Sequence, residues 1–198
     1  MSKHGNLQKY ENPNPVQRWL LGRFLRQAAT LTGGLGITSV LDAGCAEGFV
    51  SRYLREGWPA PATFWGVDVD EQALARGKSL TPWLYRARAS VLALPFAEDQ
   101  FDLVLCTEVL EHLVEPLDAL RELRRVSRRY VLLSVPHEPW FRSLNFLRGK
   151  HIRNWGNDPE HLQLWGYHEF AEFVSGELKI LQQVRAFPWL VLLCSKQA

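Results

Sequence analysis

The sequence predicts an α/β fold in which a mostly parallel sheet carries helices on both faces. First, short apolar runs alternate along the chain with segments whose apolar residues have helical spacing, which is the pattern of successive βαβ units. Second, these runs are apolar almost throughout, as strands buried on both faces must be. Third, the last two runs, 178–184 and 189–194, are joined by only four residues. Because four residues cannot form a crossover helix, we expect these two strands to be antiparallel.

Each element is placed by its apolar spacing and by the residues that end it. A helix is expected at 16–31, between the turn Asn12-Pro13-Asn14-Pro15 and the pair Gly33-Gly34. Strands are expected at 37–41, 63–67, 84–89, 101–106 and 130–135, and Pro136 stops the last of these. The helices between them are expected at 49–55, 71–80 and 116–126, with a final helix at 168–174 before the antiparallel pair.

Length and composition limit the class of protein. A chain of 198 residues predicts one domain over 1–198, with a helical cap at 1–34 and an irregular insert at 136–165 that would serve as a substrate lid. The net charge of +2 is too small to favour a nucleic-acid partner. Three scattered cysteines and the absence of a signal-like segment indicate a cytoplasmic protein. Peripheral contact with a lipid surface stays a possible role for the insert, because the insert contains four basic residues, Arg142, Arg148, Lys150 and Arg153.

The turn after the first strand carries the chemistry. Gly44 and Gly48 allow a tight turn and close approach of the backbone to a ligand, but their spacing is not that of the dinucleotide fingerprint G-x-G-x-x-G. Asp42 and Glu47 would place negative charge where a phosphate would bind. A cationic ligand without phosphate fits better, and S-adenosylmethionine, with its ammonium and sulfonium groups, is one. Asp68, at the end of the second strand, can accept hydrogen bonds from a vicinal diol.

Four ordered motifs extend this pattern: VLDAGCAEG (40–48), GVDVD (66–70), LPFAEDQFDLVLCTEVLEHL (94–113) and the strand before Pro136. Over about residues 37–135 the chain resembles class I S-adenosylmethionine-dependent methyltransferases, in particular the type 11 group that contains ubiquinone-biosynthesis-like O-methyltransferases. The resemblance implies a Rossmann-like three-layer sandwich with a seven-stranded, mostly parallel sheet and a C-terminal antiparallel hairpin. It also implies S-adenosylmethionine as the cofactor.

The resemblance assigns a role to individual residues. Residues around the methionine moiety would be Asp42, Gly44, Cys45 and Gly48, while Asp68 would hold the ribose hydroxyls and Val69 would pack beside the adenine. Cys106 and Glu108, at the end of the fourth strand, are also expected to contact the cofactor. The chain departs from the family at two positions. Ala46 replaces a usual glycine, and Ser90 stands where an aspartate usually binds the adenine amino group.

Three interpretations compete for the segment after the fourth strand. If the segment is helical, Glu108, Glu111 and His112 share one face. The glutamates would then favour a helix N-terminus beside a pocket-lining histidine, or His112 would act as a general base. Alternatively the three side chains, completed by His161, would bind Mg²⁺, Mn²⁺ or Zn²⁺. His137, at the start of the insert, is a further candidate general base.

The sequence therefore predicts an S-adenosylmethionine-dependent methyltransferase that transfers a methyl group to a small-molecule acceptor, at a hydroxyl. Two alternatives stay open. One is a metal-dependent RNA 2′-O-methyltransferase that uses the residues after the fourth strand. The other is a non-catalytic cofactor-binding partner subunit. The sequence leaves the acceptor and the oligomeric state undetermined.

Overall fold

The computed structural model describes residues 7–58, 62–137 and 162–196. The strands are β1 (Ser39–Ala43), β2 (Thr63–Asp68), β3 (Tyr85–Arg88), β4 (Phe101–Thr107), β5 (Ser127–Pro136), β6 (Leu178–Ala186) and β7 (Trp189–Lys196). The helices in these ranges are α1 (Leu7–Tyr10), α2 (Pro15–Thr32), α3 (Phe49–Gly57), α4 (Glu71–Leu80), α5 (Pro116–Val126) and α6 (Tyr167–Ser175), and a single 3₁₀ turn spans Leu110–His112. No helix in the described ranges has the length and apolar character needed to cross a membrane.

The seven strands form one sheet in the order β3-β2-β1-β4-β5-β7-β6. The first five strands pair in parallel, and β7 is antiparallel to both β5 and β6. The predicted fold, including its C-terminal antiparallel hairpin, is confirmed. The strand order reverses between β1 and β4, and ligands of open α/β sheets bind outside the carboxyl ends of the strands at such a point.

Two apolar layers lie on opposite faces of the sheet because successive side chains of a strand point in opposite directions. In β4, Val104 belongs to the layer that contains α5 and α6. Its neighbours Leu103 and Leu105 belong to the layer that contains α2 and α3. Every residue of β4 is buried, as expected of a central strand covered on both sides.

Several boundaries differ from those that the sequence predicts. β1 begins at Ser39 and extends to Ala43, so Asp42 lies within the strand rather than after it. β5 begins at Ser127, immediately after α5. Most of the predicted insert, together with its aromatic and basic residues, lies outside the described residues, and the single-domain assignment with its cap and lid stays a prediction.

Candidate functional site

The glycine turn between β1 and α3 crosses the carboxyl end of β2. The N–H groups of Gly44 and Cys45 donate to the carbonyl oxygen of Val67 at 2.8 and 3.0 Å. Gly44 has a φ of +85° and Gly48 a φ of +89°, in the region that favours glycine. Ala46, at the position where the family usually has glycine, adopts a φ of +46°. The turn thus keeps a left-handed conformation there despite the added methyl group.

Gly44 is also a site of close approach. A Cβ atom at this position would lie 2.3 Å from Cγ2 of Val109, so the side chain of Val109 occupies the space that glycine leaves. This contact brings the chain after β4 against the glycine turn. The segments that follow β1 and β4 are therefore in contact at the point where the strand order reverses.

Asp68 is held rigidly at the end of β2. Its Oδ2 accepts a hydrogen bond from the N–H of Ala46 at 2.8 Å, and its Oδ1 accepts one from the N–H of Asp70 at 2.8 Å. Each carboxylate oxygen keeps a further acceptor site, and the residue is only half-buried. The arrangement is a fixed carboxylate acceptor joined directly to the glycine turn, as a vicinal diol would require.

Asp42, near the end of β1, and Glu47, in the turn, are less available to a ligand than the sequence suggests. Glu47 is fully buried, and its Oε1 is 2.8 Å from Nη2 of Arg76, so most of its charge is compensated. Asp42 is also buried and accepts a hydrogen bond from Oγ of Ser51 at 2.6 Å. Burial raises the pKa of Asp42 from 3.8 to about 6. The negative charge that we expected Glu47 to place beside the ligand is instead paired with the guanidinium of Arg76.

Arg86, which no sequence pattern identifies, contacts both the glycine turn and the end of α4. Its guanidinium donates to the carbonyl oxygens of Gly77 and Thr81 at 2.8 and 2.9 Å, and thereby caps the end of α4. The same group reaches the carbonyl oxygen of Glu47 at 3.5 Å. No motif marks this arginine, because its partners are backbone oxygens and the hydroxyl of Thr81, which only the fold brings together.

The predicted adenine contacts lie on the β2–β3 side. Val69 directly follows β2 and is 62% exposed, which leaves its side chain free to pack against a ring. Ser90 is half-buried, and its Oγ accepts a hydrogen bond from the N–H of Leu92 at 3.2 Å. With that acceptor role taken, the hydroxyl proton of Ser90 can still be donated. Both assignments stay predictions.

The cysteines of the predicted site are packing residues. Cys106 is fully buried within β4, and burial raises the pKa of its thiol well above the usual range. It offers no surface to a ligand, which counts against our assignment of Cys106 to the cofactor. Cys45 is buried too, and a Cβ atom on Gly66 would lie 2.7 Å from its Sγ. Its thiol packs against Gly66 of β2 and donates to the carbonyl oxygen of Ala46 at 3.6 Å.

The segment after β4 is not a continuous helix, which was the condition for Glu108, Glu111 and His112 to share one face. Glu108 has a φ of +57°, and its N–H donates to the carbonyl oxygen of Ser134 in β5 at 2.9 Å, which extends the β4–β5 pairing by one residue. Only Leu110–His112 forms a helical turn. Both carboxylate oxygens of Glu108 accept hydrogen bonds from Nζ of Lys9 in α1.

The predicted metal site is not assembled among the residues that the structure describes. Glu111 is buried and its oxygens lack hydrogen-bond partners among the described residues, whereas His112 is exposed and Glu108 is paired with Lys9. Across residues 7–58, 62–137 and 162–196, no group of three or more His, Cys, Asp or Glu side chains could hold a metal ion. The shared helical face on which this hypothesis depended does not exist. His161 lies outside the described residues.

Burial, followed by the charge of Glu108, raises the pKa of Glu111 well above its usual range. His137 directly follows β5, where its N–H donates to the carbonyl oxygen of Pro188 at 2.8 Å. Burial and the charge of Arg185 lower the pKa of His137, so its imidazole is neutral at pH 7. A neutral imidazole can accept a proton, and this candidate stays open beside His112.

The comparisons with known proteins agree with this geometry. Residues 41–134, from β1 to β5, match the family model described as a methyltransferase domain. The matched segment contains the glycine turn, the Asp68 carboxylate and the chain after β4. Residues 41–134 of this chain form a methyltransferase domain of the class I S-adenosylmethionine-dependent type, type 11.

Among its relatives is the malonyl-[acyl-carrier protein] O-methyltransferase of Halorhodospira halophila, to which this methyltransferase is 31% identical over 123 residues. The alignment covers 61% of this chain and 41% of the relative. It is also 29% identical over 147 residues to an uncharacterized methyltransferase of Mycobacterium leprae, and this alignment covers 67% of this chain and 51% of the relative. The chain thus spans about half the length of the curated relatives that it matches.

Solved structures share the fold across almost the whole chain. A SAM-dependent methyltransferase from Aquifex aeolicus has a TM-score of 0.72 at 14% identity, covering 98% of this chain and all of that one. Magnesium protoporphyrin IX methyltransferase from Synechocystis, solved with bound SAH, has a TM-score of 0.71 at 17% identity. The superposition covers 96% of this chain and 92% of that one. At such identities the likeness concerns the fold alone.

Proposed function

We propose that this methyltransferase binds S-adenosylmethionine at the carboxyl ends of β1, β2 and β4 and transfers its methyl group to a hydroxyl of a small molecule. The observation that carries the proposal is the Asp68 carboxylate, fixed by two backbone N–H groups beside the glycine turn. The carboxylate is rigid, half-exposed and set at the reversal of strand order, where ligands of such sheets bind.

The residues present fit this cofactor. Asp68 would accept hydrogen bonds from the two ribose hydroxyls, and Val69 would pack on the adenine. The backbone of the turn from Gly44 to Gly48 would surround the methionine moiety.

The chemistry asks little of the protein beyond alignment. When bound, S-adenosylmethionine supplies a methyl group activated by its sulfonium, so that a hydroxyl oxygen forms a bond to the methyl carbon as the carbon–sulfur bond breaks. The side chains of the pocket position that hydroxyl in line and exclude water. His137 or His112 would receive the hydroxyl proton at an imidazole nitrogen.

The acceptor class is supported by relatives and by charge. The similarity to a malonyl-[acyl-carrier protein] O-methyltransferase favours oxygen as the acceptor atom. The net charge of +2 does not favour RNA, and among the described residues the metal group of the RNA alternative is not assembled. We therefore prefer a small-molecule hydroxyl.

Calorimetric titration with S-adenosylhomocysteine tests the proposal. The wild-type protein should bind one equivalent, and Asp68→Asn should weaken binding by about tenfold or more, since hydrogen bonds to a charged acceptor contribute about 1.5–3 kcal/mol. Asp118→Asn, an exposed carboxylate on α5, is the matched control and should bind like the wild type. A wild-type protein that binds no S-adenosylhomocysteine would refute the proposed function. Full affinity in Asp68→Asn would refute the ribose assignment.

A further inference from the structure

A pair of opposite charges lies at the end of β4 and joins two distant parts of the chain. Lys9 in α1 and Glu108 after β4 are separated by 99 positions, and both carboxylate oxygens of Glu108 accept hydrogen bonds from the Lys9 ammonium. The side chains are only 25% and 18% exposed, respectively. The ammonium also lies 5.0 Å from the ring centroid of Trp189, which helps to fix its position.

Two contacts place this ion pair beside the glycine turn. Val109, the neighbour of Glu108, occupies the space against Gly44. Tyr10, the neighbour of Lys9, stacks on Phe49 with ring centroids 4.5 Å apart, and Phe49 is the first residue of α3 after Gly48. The chain neighbours of the two partners thus contact opposite ends of the same turn, so the ion pair lies close to it.

Burial of two charges is costly unless each is compensated, and this limits what can bind between them. A ligand with a single charge would separate the pair and leave one partner without compensation. A zwitterion with an ammonium and a carboxylate on the same carbon atom can compensate both partners at once. The α-amino-acid end of S-adenosylmethionine is such a group.

We propose that Lys9 and Glu108 recognise the α-amino-acid end of the methyl donor. Glu108 accepts hydrogen bonds from the donor's ammonium, and Lys9 donates to its carboxylate. This inference rests on the proposed function and adds α1 to the donor site. It assigns to Lys9, outside the matched family segment, a role in selecting ligands that carry the amino-acid end.

The opposite role for Lys9 is physically distinct. Its ammonium could compete with the donor's ammonium for Glu108 and so hinder binding. The two roles predict effects of opposite sign when the lysine charge is removed, because a recognition residue strengthens binding and a competitor weakens it.

The test compares two ligands that differ only at the amino-acid end. S-adenosylhomocysteine carries the zwitterion, and 5′-methylthioadenosine keeps the adenine and ribose but lacks it. Binding of both is measured by calorimetry for the wild type, Lys9→Gln, Lys9→Arg and Glu108→Gln. Lys179→Gln, an exposed lysine of β6, is the matched control for loss of one positive charge.

Lys9→Gln and Glu108→Gln should each lose about tenfold or more in affinity for S-adenosylhomocysteine and change by less than about twofold for 5′-methylthioadenosine. Lys9→Arg should keep most of the affinity, and Lys179→Gln all of it. Equal losses for both ligands, no loss, or tighter binding by Lys9→Gln would overturn the inference while the proposed function stands. A wild type that binds neither ligand would overturn both.

Discussion

Replacing Gly44 by alanine should destabilise the protein more than the same replacement at Gly36, although both glycines have a positive φ. Gly36 has a φ of +62° and Gly44 a φ of +85°, so an alanine is strained at either position. The surroundings differ. A Cβ atom at Gly36 would meet nothing within 4 Å, whereas one at Gly44 would lie 2.3 Å from Cγ2 of Val109.

The two costs can be separated. A left-handed conformation costs an alanine about 1–2 kcal/mol, and this cost is common to both variants. Crowding of a packed site adds about 1–3 kcal/mol at Gly44 alone. For a chain of this size 1 kcal/mol corresponds to about 2–4 °C in melting temperature, so Gly44→Ala should melt about 5 °C below Gly36→Ala.

Thermal and urea unfolding followed by circular dichroism measure the difference. The double variant Gly44→Ala/Val109→Ala should show a favourable coupling, because removing Cγ2 of Val109 relieves the contact. The wild type, Val109→Ala, Gly44→Ala and the double variant form a complete cycle. Equal melting temperatures for Gly44→Ala and Gly36→Ala, or no coupling with Val109, would refute the close packing of the chain after β4 on the turn.

Two further predictions concern buried charges. Burial raises the pKa of Asp42 to about 6, so the folded protein holds this proton more tightly than the unfolded chain. The stability that Asp42 contributes is complete below pH 3.8 and is lost as the pH rises through 6. Relative to Asp42→Asn, the wild type should therefore lose about 3 kcal/mol of unfolding free energy between about pH 4 and 7. Urea unfolding of both proteins at several pH values measures this difference. A difference in unfolding free energy that stays constant with pH would contradict the burial of this carboxylate. Arg76→Met leaves the buried Glu47 without its cation and should cost about 3 kcal/mol, whereas Arg52→Met, which breaks an exposed pair, should cost less than about 1 kcal/mol. Similar costs for these two arginines would count against the burial of Glu47.

Periodicity and composition are enough to predict the sheet. The apolar run of β4 is buried throughout, and the four residues between the last two runs force the antiparallel pair that the structure shows. The glycine turn and Asp68 could also be located from sequence, because they lie on adjacent parallel strands whose carboxyl ends meet at one edge.

The residues after β4 could not be predicted in the same way. The segment from Glu108 to His112 has the spacing of a helix, yet its backbone is fixed by pairing with Ser134 in β5 and by packing on Gly44. These tertiary contacts override local propensity. The metal hypothesis depended on that helical spacing, and the described residues do not support it.

The partners of the site's charged groups were equally hidden. Lys9 stands in a polar N-terminal segment with no motif, and Glu108 lies 99 positions away. The arginine that neutralises Glu47 is on α4, and its contact depends on how that helix packs. Sequence patterns locate the backbone frame of a site, whereas the compensation of its charges depends on contacts between distant elements.

A crystal structure with S-adenosylhomocysteine bound is the most direct test of the donor site. The ribose hydroxyls should lie within hydrogen-bonding distance of the Asp68 carboxylate, and the homocysteine end should lie along the turn from Gly44 to Gly48. Ligand density elsewhere on the molecule, or at this edge without a contact to Asp68, would contradict the proposed site.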